Sequence, residues 1–177
     1  MIEHLVEEAK RNPAAFKQLY PRFVKQIYAY VAYKVGRKQD TEDIVSETFL
    51  RALEKIKTFE YRGEGSFKAW LFQIAHYVVL EHYRGQATTM DIDDIPLIRH
   101  DPFEDQLILK EQFMQVQHHL QSLPARQQEV ILLKYFGGLR NQEIADLLKL
   151  NERTVSSYLS RGLDTLQTLL NDVEVHS

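Results

Sequence analysis

The sequence contains no cysteine, and several other features that mark large classes of protein are scarce in it. Without cysteine, the 177-residue chain forms neither disulfides nor thiolate metal sites. It has only 7 glycines and 5 prolines, a low share that favours helices over turn-rich β structure. No apolar run approaches the ~20 residues of a membrane helix, and the segment "MIEHLVEEAKRNP" lacks the basic start and apolar core of a secretory signal. We therefore expect a soluble, cytoplasmic and mainly helical protein.

Motifs that carry common catalytic chemistry are also missing. The sequence has no G-x-x-x-x-G-K-[ST], no G-x-G-x-x-G and no H-E-x-x-H. His118 and His119 are adjacent, so they make a poor pair of metal ligands on a helix. The run of Asp91, Asp93 and Asp94 lacks the glycine and the distant glutamate of a calcium loop. We expect no enzymatic activity, no cofactor and no metal site.

The net charge of −3 is unevenly distributed along the chain. Residues 1–88 contain 14 Lys and Arg against 11 Asp and Glu, whereas residues 89–106 contain 1 against 6. This acidic stretch carries two prolines and shows no helical period. We interpret residues 88–106 as a flexible acidic linker between an N-terminal domain (1–87) and a C-terminal domain (107–177). The expected fold is all-α, with two small helical domains.

Apolar spacing in the N-terminal domain predicts four helices. A short helix covers residues 3–11, and a long one runs from residue 16 until Gly36 ends it. Asp40 is predicted to cap the third helix, and Phe67, Trp70, Leu71 and Ile74 to bury one side of the fourth. The outer face of the third helix mixes apolar and charged residues, namely Glu42, Asp43, Ser46, Glu47, Leu50, Arg51 and Glu54.

The spacing of apolar residues in residues 141–167 predicts a helix-turn-helix. Ile144, Ala145 and Leu148 face inward in its first helix, which begins near Arg140 or Asn141. The second helix has an apolar stripe at Val155, Leu159, Leu163, Leu166 and Leu170. Because that stripe faces inward, the opposite side of the second helix faces outward. In a helix-turn-helix, the N-terminal half of this outward side enters the major groove of DNA. However, the segment contains only three Lys or Arg against four Asp or Glu.

The order of these segments is more specific than any one of them. "DTEDIVSETFLRAL" (40–53) is followed by "RGEGSFKAWLFQIA" (62–75), the acidic linker and the helix-turn-helix. This arrangement resembles an extracytoplasmic-function sigma factor of bacterial RNA polymerase, over residues 16–86 and 121–169. The resemblance implies a promoter-specificity subunit whose partners are core polymerase, promoter DNA and an anti-sigma factor. It assigns region 2 of the family to residues 1–87 and region 4 to residues 107–177.

The resemblance also implies roles for individual residues. The third helix would bind the clamp coiled coil of the largest polymerase subunit, and the C-terminal domain the flap of the second-largest. The implied polymerase contacts are Asp40, Glu42, Asp43, Glu47, Leu50, Arg51 and Glu54. The implied contacts to the −10 element are Tyr61, Arg62, Gly63, Ser66, Gln73, His76, Tyr77 and Arg84. The implied contacts to the −35 element are Arg153, Thr154, Ser156, Ser157, Tyr158 and Arg161.

Departures from the family pattern concern the DNA-reading positions. His76 and Tyr77 stand where the family commonly has Arg and Asn, so the usual −10 base preference should not be assumed. In the second helix of the C-terminal domain, Ser156, Tyr158 and Leu163 replace cations. Two other interpretations therefore remain open. One is a stand-alone helix-turn-helix regulator, and the other is a sigma-like module that binds polymerase without promoter activity.

The shortage of cations leads to a first prediction. Because each neutralised phosphate adds to DNA affinity, a fragment of residues 107–177 should bind DNA weakly by itself. In the full chain, attachment to polymerase would raise its effective concentration at the promoter. Fluorescence anisotropy of the fragment on duplex DNA measures this directly. Sequence-specific binding with a Kd below about 1 μM at physiological salt would contradict the prediction.

Overall fold

The structure is a computed structural model that describes residues 2–86 and 118–176, the side chains of 86, 170 and 173–176 excepted. The chain divides into two compact units, residues 1–100 and 101–177. The described residues form helices and loops without a β-strand, which confirms the all-α prediction. The predicted linker and the start of the C-terminal domain, residues 107–117, lie outside the described residues.

Residues 2–86, the described part of the N-terminal unit, form four α-helices, as the apolar spacing predicts. Asn12 precedes a short 3₁₀ turn, and its side chain accepts a hydrogen bond from the backbone N–H of Ala14. A second 3₁₀ turn, Ile56–Thr58, follows the third helix. The helices are α1 (Ile2–Arg11), α2 (Phe16–Val35), α3 (Lys38–Lys55) and α4 (Ser66–Gln86).

Helix α2 is the centre of this unit and contacts each of the other three helices. Leu19, Ile27 and Val31 are fully buried on it, and each such side chain contributes about 1.5–3 kcal/mol through the hydrophobic effect. Gly36 ends the helix in the left-handed region, at φ 82°, as predicted from its position. The apolar spacing of this helix includes Tyr20, yet 43% of its surface is exposed.

Three predictions for this unit were wrong in detail. Helix α3 begins two residues before Asp40, with Arg37 at the N-cap, so Asp40 lies in the first turn and does not cap it. A carboxylate there still stabilises the positive end of the helix dipole. Trp70 and Ile74 are only half-buried. Phe67 and Leu71 are buried as predicted, and the rest of the buried side consists of Phe72, Ala75 and Val79.

The C-terminal unit contains a helix-turn-helix, as predicted. Its helices are α5 (Ala125–Ile131), α6 (Asn141–Leu148) and α7 (Glu152–His176), and a π-helical turn, Leu132–Phe136, extends α5. Arg140 holds the N-cap of α6, and its backbone N–H donates to Glu143 Oε1 at 2.9 Å. Asn141 is therefore the first helical residue and not the cap. Lys149 makes the turn between α6 and α7 in the left-handed region, at φ 57°.

The inward stripe of α7 differs from the predicted one at its middle. Val155 and Leu159 are buried as predicted, but Leu163 is 39% exposed. The neighbouring Gly162 is buried in its place. A Cβ on Gly162 would lie 2.6 Å from Ile131 Cδ1 and 3.6 Å from Leu123 Cδ1. The missing side chain thus allows α7 to pack closely against α5. The buried side of α7 therefore includes a glycine, which a search for apolar residues does not find.

Enlarging Gly162 should therefore destabilise the C-terminal unit. Gly162→Val introduces a side chain into the contact with Ile131, and we expect the free energy of unfolding to fall by about 1–3 kcal/mol. Valine has a higher helix propensity than glycine, so any loss reports packing. Urea unfolding followed by circular dichroism measures it. The fluorescence of Trp70, the single tryptophan, reports the N-terminal unit and should not change.

The matched control is Ser160→Val, which places the same branched side chain at an exposed position of α7. We expect it to change stability by less than about 0.5 kcal/mol. Equal effects of the two substitutions would contradict the close contact at Gly162.

Candidate nucleic-acid and protein interfaces

The outer face of α3 presents an apolar side chain among carboxylates. Leu50 is 51% exposed, and Glu42, Asp43 and Glu54 are exposed as well. Tyr20 of α2 packs edge-on against Phe49, the residue next to Leu50, with ring centroids 4.7 Å apart. An exposed leucine with an acidic surround suits a helix-on-helix protein contact better than it suits DNA.

Two residues predicted for that face, Glu47 and Arg51, form ion pairs within the protein. Arg51 Nε donates to Glu47 Oε1 at 2.7 Å, and Arg51 Nη2 lies 2.7 Å from Glu81 Oε2 on α4. The hydrogen bond to Glu81, followed by that to Glu47, raises the pKa of Arg51 above its ordinary value. Only 26% of the Arg51 side chain is exposed. Arg51 thus joins α3 to α4.

Further polar contacts hold α4 against its neighbours. His82 Nε2 on α4 faces Asp40 Oδ2 on α3 at 3.8 Å, which is longer than a hydrogen bond. The Tyr83 hydroxyl donates to the backbone carbonyl of Lys34 on α2. Burial, and then the charge of Asp40, raise the pKa of Tyr83, so the hydroxyl keeps its proton. These contacts fix the C-terminal half of α4 on the α2–α3 pair.

The loop before α4 is closed by Ser66. Its hydroxyl accepts from the backbone N–H of Arg62 at 3.1 Å and donates to the carbonyl of Gly63 at 2.7 Å. Gly63 has φ 110° and Gly65 has φ 87°, conformations that side-chain-bearing residues rarely adopt. Ser66 was predicted to contact DNA, but its hydroxyl shapes the loop. Arg62 and Gly63 are exposed.

A pocket of about 500 Å³ opens beside this loop. Tyr61 of the loop lies in its wall together with residues from three helices, which the sequence analysis did not connect with the site. Residues this far apart in sequence give no local signal that they meet. The lining consists of Ile2, Phe23, Tyr61, Glu64, Gly65, Phe67 and Lys68.

The exposed side of α4 carries three of the predicted −10 residues. Gln73, Tyr77 and Arg84 are exposed and lie at spacings of four and seven, which places them on one face of the helix. Tyr77 is 52% exposed. His76 is half-buried, and its Nδ1 lies 2.8 Å from the Tyr30 hydroxyl of α2. His76 is therefore less available to DNA than predicted.

The N-terminal half of α7 presents the predicted −35 residues. Arg153, Ser156 and Arg161 are exposed. The others, Thr154, Ser157 and Tyr158, are half-buried. The side chain of Asn151 accepts from the backbone N–H of Thr154 at 2.7 Å and so caps the helix.

A chain of hydrogen bonds that the sequence analysis missed leads to Ser156. Lys134 Nζ donates to Asn141 Oδ1 at 2.9 Å, and Asn141 Nδ2 donates to Ser156 Oγ at 3.2 Å. These residues come from the π-helical turn, α6 and α7. Sequence spacing alone does not bring them together.

Within residues 2–86 and 118–176, no group of three acidic or histidine side chains is placed to hold a metal ion. No helix of that part of the chain is long and apolar enough to cross a membrane.

The chain thus combines a helical unit that has a pocket beside a loop with a second helical unit that contains a helix-turn-helix. Residues 19–89 match the family described as Sigma-70 region 2, and residues 113–166 match Sigma-70, region 4. The chain is 31% identical to the ECF RNA polymerase sigma factor SigX of Bacillus subtilis over 160 residues, which cover 86% of this chain and 81% of SigX. This chain belongs to the extracytoplasmic-function sigma factors.

Other relatives agree with this assignment. The ECF sigma factor BldN of Streptomyces coelicolor is 35% identical over 174 residues, which cover 95% of this chain and 65% of the length of BldN. A solved structure of CnrH in complex with the cytosolic domain of CnrY is 25% identical, with a TM-score of 0.65 over 95% of this chain and 96% of that one. The RpoE–NepR structure from Bartonella quintana, at 24% identity and a TM-score of 0.63 over 88% and 96% of the two chains, shares the fold.

The position of Arg51 leads to a prediction for the N-terminal unit. Arg51→Met removes the link between α3 and α4 and leaves Glu47 and Glu81 without their cation. We expect the free energy of unfolding to fall by about 1 kcal/mol, and the loss to shrink at high salt. The fluorescence of Trp70 during urea unfolding measures it.

Two further variants define the origin of that loss. Glu81→Gln, on the other helix, should reproduce it in the same direction. Arg62→Met removes an arginine whose pair with Glu60 is 3.4 Å long and exposed, so it should have little effect. If Arg51→Met and Arg62→Met have equal effects, Arg51 does not link the helices.

Proposed function

We propose that this sigma factor binds core RNA polymerase through the outer face of α3 and places three surfaces of the chain on promoter DNA. It works in the cytoplasm, and the polymerase supplies all the chemistry. The observation that supports this proposal is the distribution of three different surfaces over the two units. An acidic face with an exposed leucine, a loop with an adjoining pocket and an exposed recognition helix occur at the positions matched by the sigma family.

The α3 face supports a contact with the clamp coiled coil of the largest polymerase subunit. Leu50 supplies an apolar anchor, and Glu42, Asp43 and Glu54 supply a polar rim that excludes wrong partners. Asp40 and Glu47 lie at the edge of this face. Arg51 acts from within the unit by holding α3 against α4. The C-terminal unit contacts the flap of the second-largest subunit.

The loop and pocket support the capture of a base from the −10 element. Tyr61 offers an aromatic face, and base–aromatic stacking contributes about 1–3 kcal/mol. That contribution offsets the few kcal/mol needed to take a base out of the duplex. Gly63 lets the backbone approach the base, and Arg62 approaches a phosphate. Gln73, Tyr77 and Arg84 extend the contact along α4.

The recognition helix supports a contact with the −35 element. Arg153 and Arg161 flank its exposed N-terminal half, where Arg pairs with guanine or phosphate. Ser156, Ser157 and Thr154 supply hydroxyls. Because the helix has few cations, most of its occupancy at the promoter comes from attachment to polymerase.

A protein inhibitor is part of the proposal. The structurally similar CnrH was solved with the cytosolic domain of a second protein, CnrY. We propose that an anti-sigma factor likewise covers this chain until a signal releases it.

The proposal is tested by run-off transcription with core polymerase and the purified chain on upstream DNA of its own operon. The wild-type chain should give discrete transcripts. Leu50→Glu should abolish binding to core polymerase and with it transcription. Replacing both Arg153 and Arg161 with Ala should abolish transcription while binding to core stays intact. Tyr61→Ala should allow closed complexes but reduce melting, as read by permanganate footprints.

Lys57→Ala is the control, since Lys57 is exposed but lies outside all three surfaces. Polymerase binding without any transcript from the wild-type chain would favour a sigma-like module that lacks promoter activity, in keeping with the few cations on α7. Specific DNA binding without polymerase would favour a stand-alone regulator.

A further inference from the structure

We propose that Lys134 and Asn141 belong to the −35 reading surface, where they supply a cation that α7 lacks and make Ser156 a hydrogen-bond donor to DNA. This inference rests on the proposed function of α7. Neither residue is part of the recognition helix.

The direction of the hydrogen bonds follows from the chemistry of the three groups. An ammonium group only donates, so the oxygen of the Asn141 amide must face Lys134 Nζ, at 2.9 Å. The nitrogen of the same amide then faces Ser156 Oγ, at 3.2 Å. Turning the amide over would place its NH₂ against the ammonium. One orientation of Asn141 therefore satisfies both neighbours.

The hydroxyl of Ser156 is polarised by this arrangement. An isolated serine accepts or donates with equal ease and so reads either kind of base edge. Here its oxygen accepts from Asn141, so its hydrogen points away from Asn141. Because Ser156 is exposed, that hydrogen is offered to solvent or DNA. Accepting that bond polarises the O–H group and strengthens it as a donor. Ser156 should thus favour acceptors on base edges, such as guanine O6 or N7 and thymine O4, over the amino group of cytosine, for which only its second lone pair remains.

Lys134 changes the charge of the surface. The segment 141–167 counts one more acid than cations, and Ser156 stands where the sigma family commonly has a lysine. Lys134 lies outside that segment, but its ammonium group donates to Asn141, the first residue of α6. Asn141 in turn donates to Ser156. Its remaining N–H groups add a phosphate contact. The π-helical turn that carries Lys134 is a kind of helix irregularity often found at functional sites.

The test uses holoenzyme reconstituted with core polymerase and a promoter library randomised in the −35 element. Asn141→Ala and Ser156→Ala should relax the same base position, and each should weaken promoter complexes about 3- to 10-fold. The double variant should be no worse than either single variant, because both remove one unit. Lys134→Met should lower binding to every sequence and reduce the salt slope by about 0.9.

Ser156→Lys in the Lys134→Met background should restore affinity, since it returns the cation to α7. Lys149→Met is the matched control for Lys134→Met: it removes the same charge from the same unit but outside the hydrogen-bonded chain, and it should leave both the affinity and the salt slope nearly unchanged. A loss of salt slope equal to that of Lys134→Met would contradict the role of Lys134. Independent, multiplicative effects of Asn141→Ala and Ser156→Ala would overturn the proposal, as would an unchanged base preference in both. Failure of the wild-type holoenzyme to select any sequence would instead overturn the proposed function itself.

Discussion

The contact between α3 and α4 is the constraint on which the N-terminal unit depends. One helix carries the acidic face proposed for polymerase, and the other carries the exposed side proposed for the −10 element. Arg51 holds them together through carboxylates on both sides. A polymerase subunit that positions DNA needs a fixed angle between these two helices, because a shift of one would misplace the other. The planar, forked guanidinium group of an arginine fixes the direction of its two hydrogen bonds better than the ammonium group of a lysine does.

Much of this unit was predictable from sequence because its helices have regular apolar periods and clear stops. Gly36 ended α2 where expected, and Leu50 was exposed as predicted. The link from Arg51 to Glu81 was not predicted, because Glu81 lies thirty residues away in the sequence and helical spacing says nothing about contacts between helices. The pocket was not predicted for the same reason, since Ile2 and Phe23 are distant in sequence from the loop with which they line it. The closure of the loop by Ser66 was likewise not predicted, because a hydroxyl beside a glycine-rich loop serves loop closure as readily as ligand binding.

In the C-terminal unit, the sequence identified the motif but not how its parts cooperate. The count of cations in residues 141–167 was correct, yet it left out Lys134, whose ammonium group reaches Asn141 from the preceding helix. A count over consecutive residues gives the net charge of a segment. The charge of a folded surface also includes residues from other segments. The exposed Leu163 has a similar explanation, since the helical period of the buried side passes through a residue with no side chain.

Gly162 is a point of close packing between α7 and α5, because a side chain there would displace the end of Ile131. Arg153 and Ser156, which are proposed to contact DNA, are exposed and precede Gly162 along the helix, so their side chains do not take part in that packing. Substitutions at Arg153 or Ser156 can therefore change which promoter is read while the axis of the helix keeps its place. Under the proposed function, promoter choice would then change through surface substitutions alone, and the packing of α7 on α5 would stay as it is.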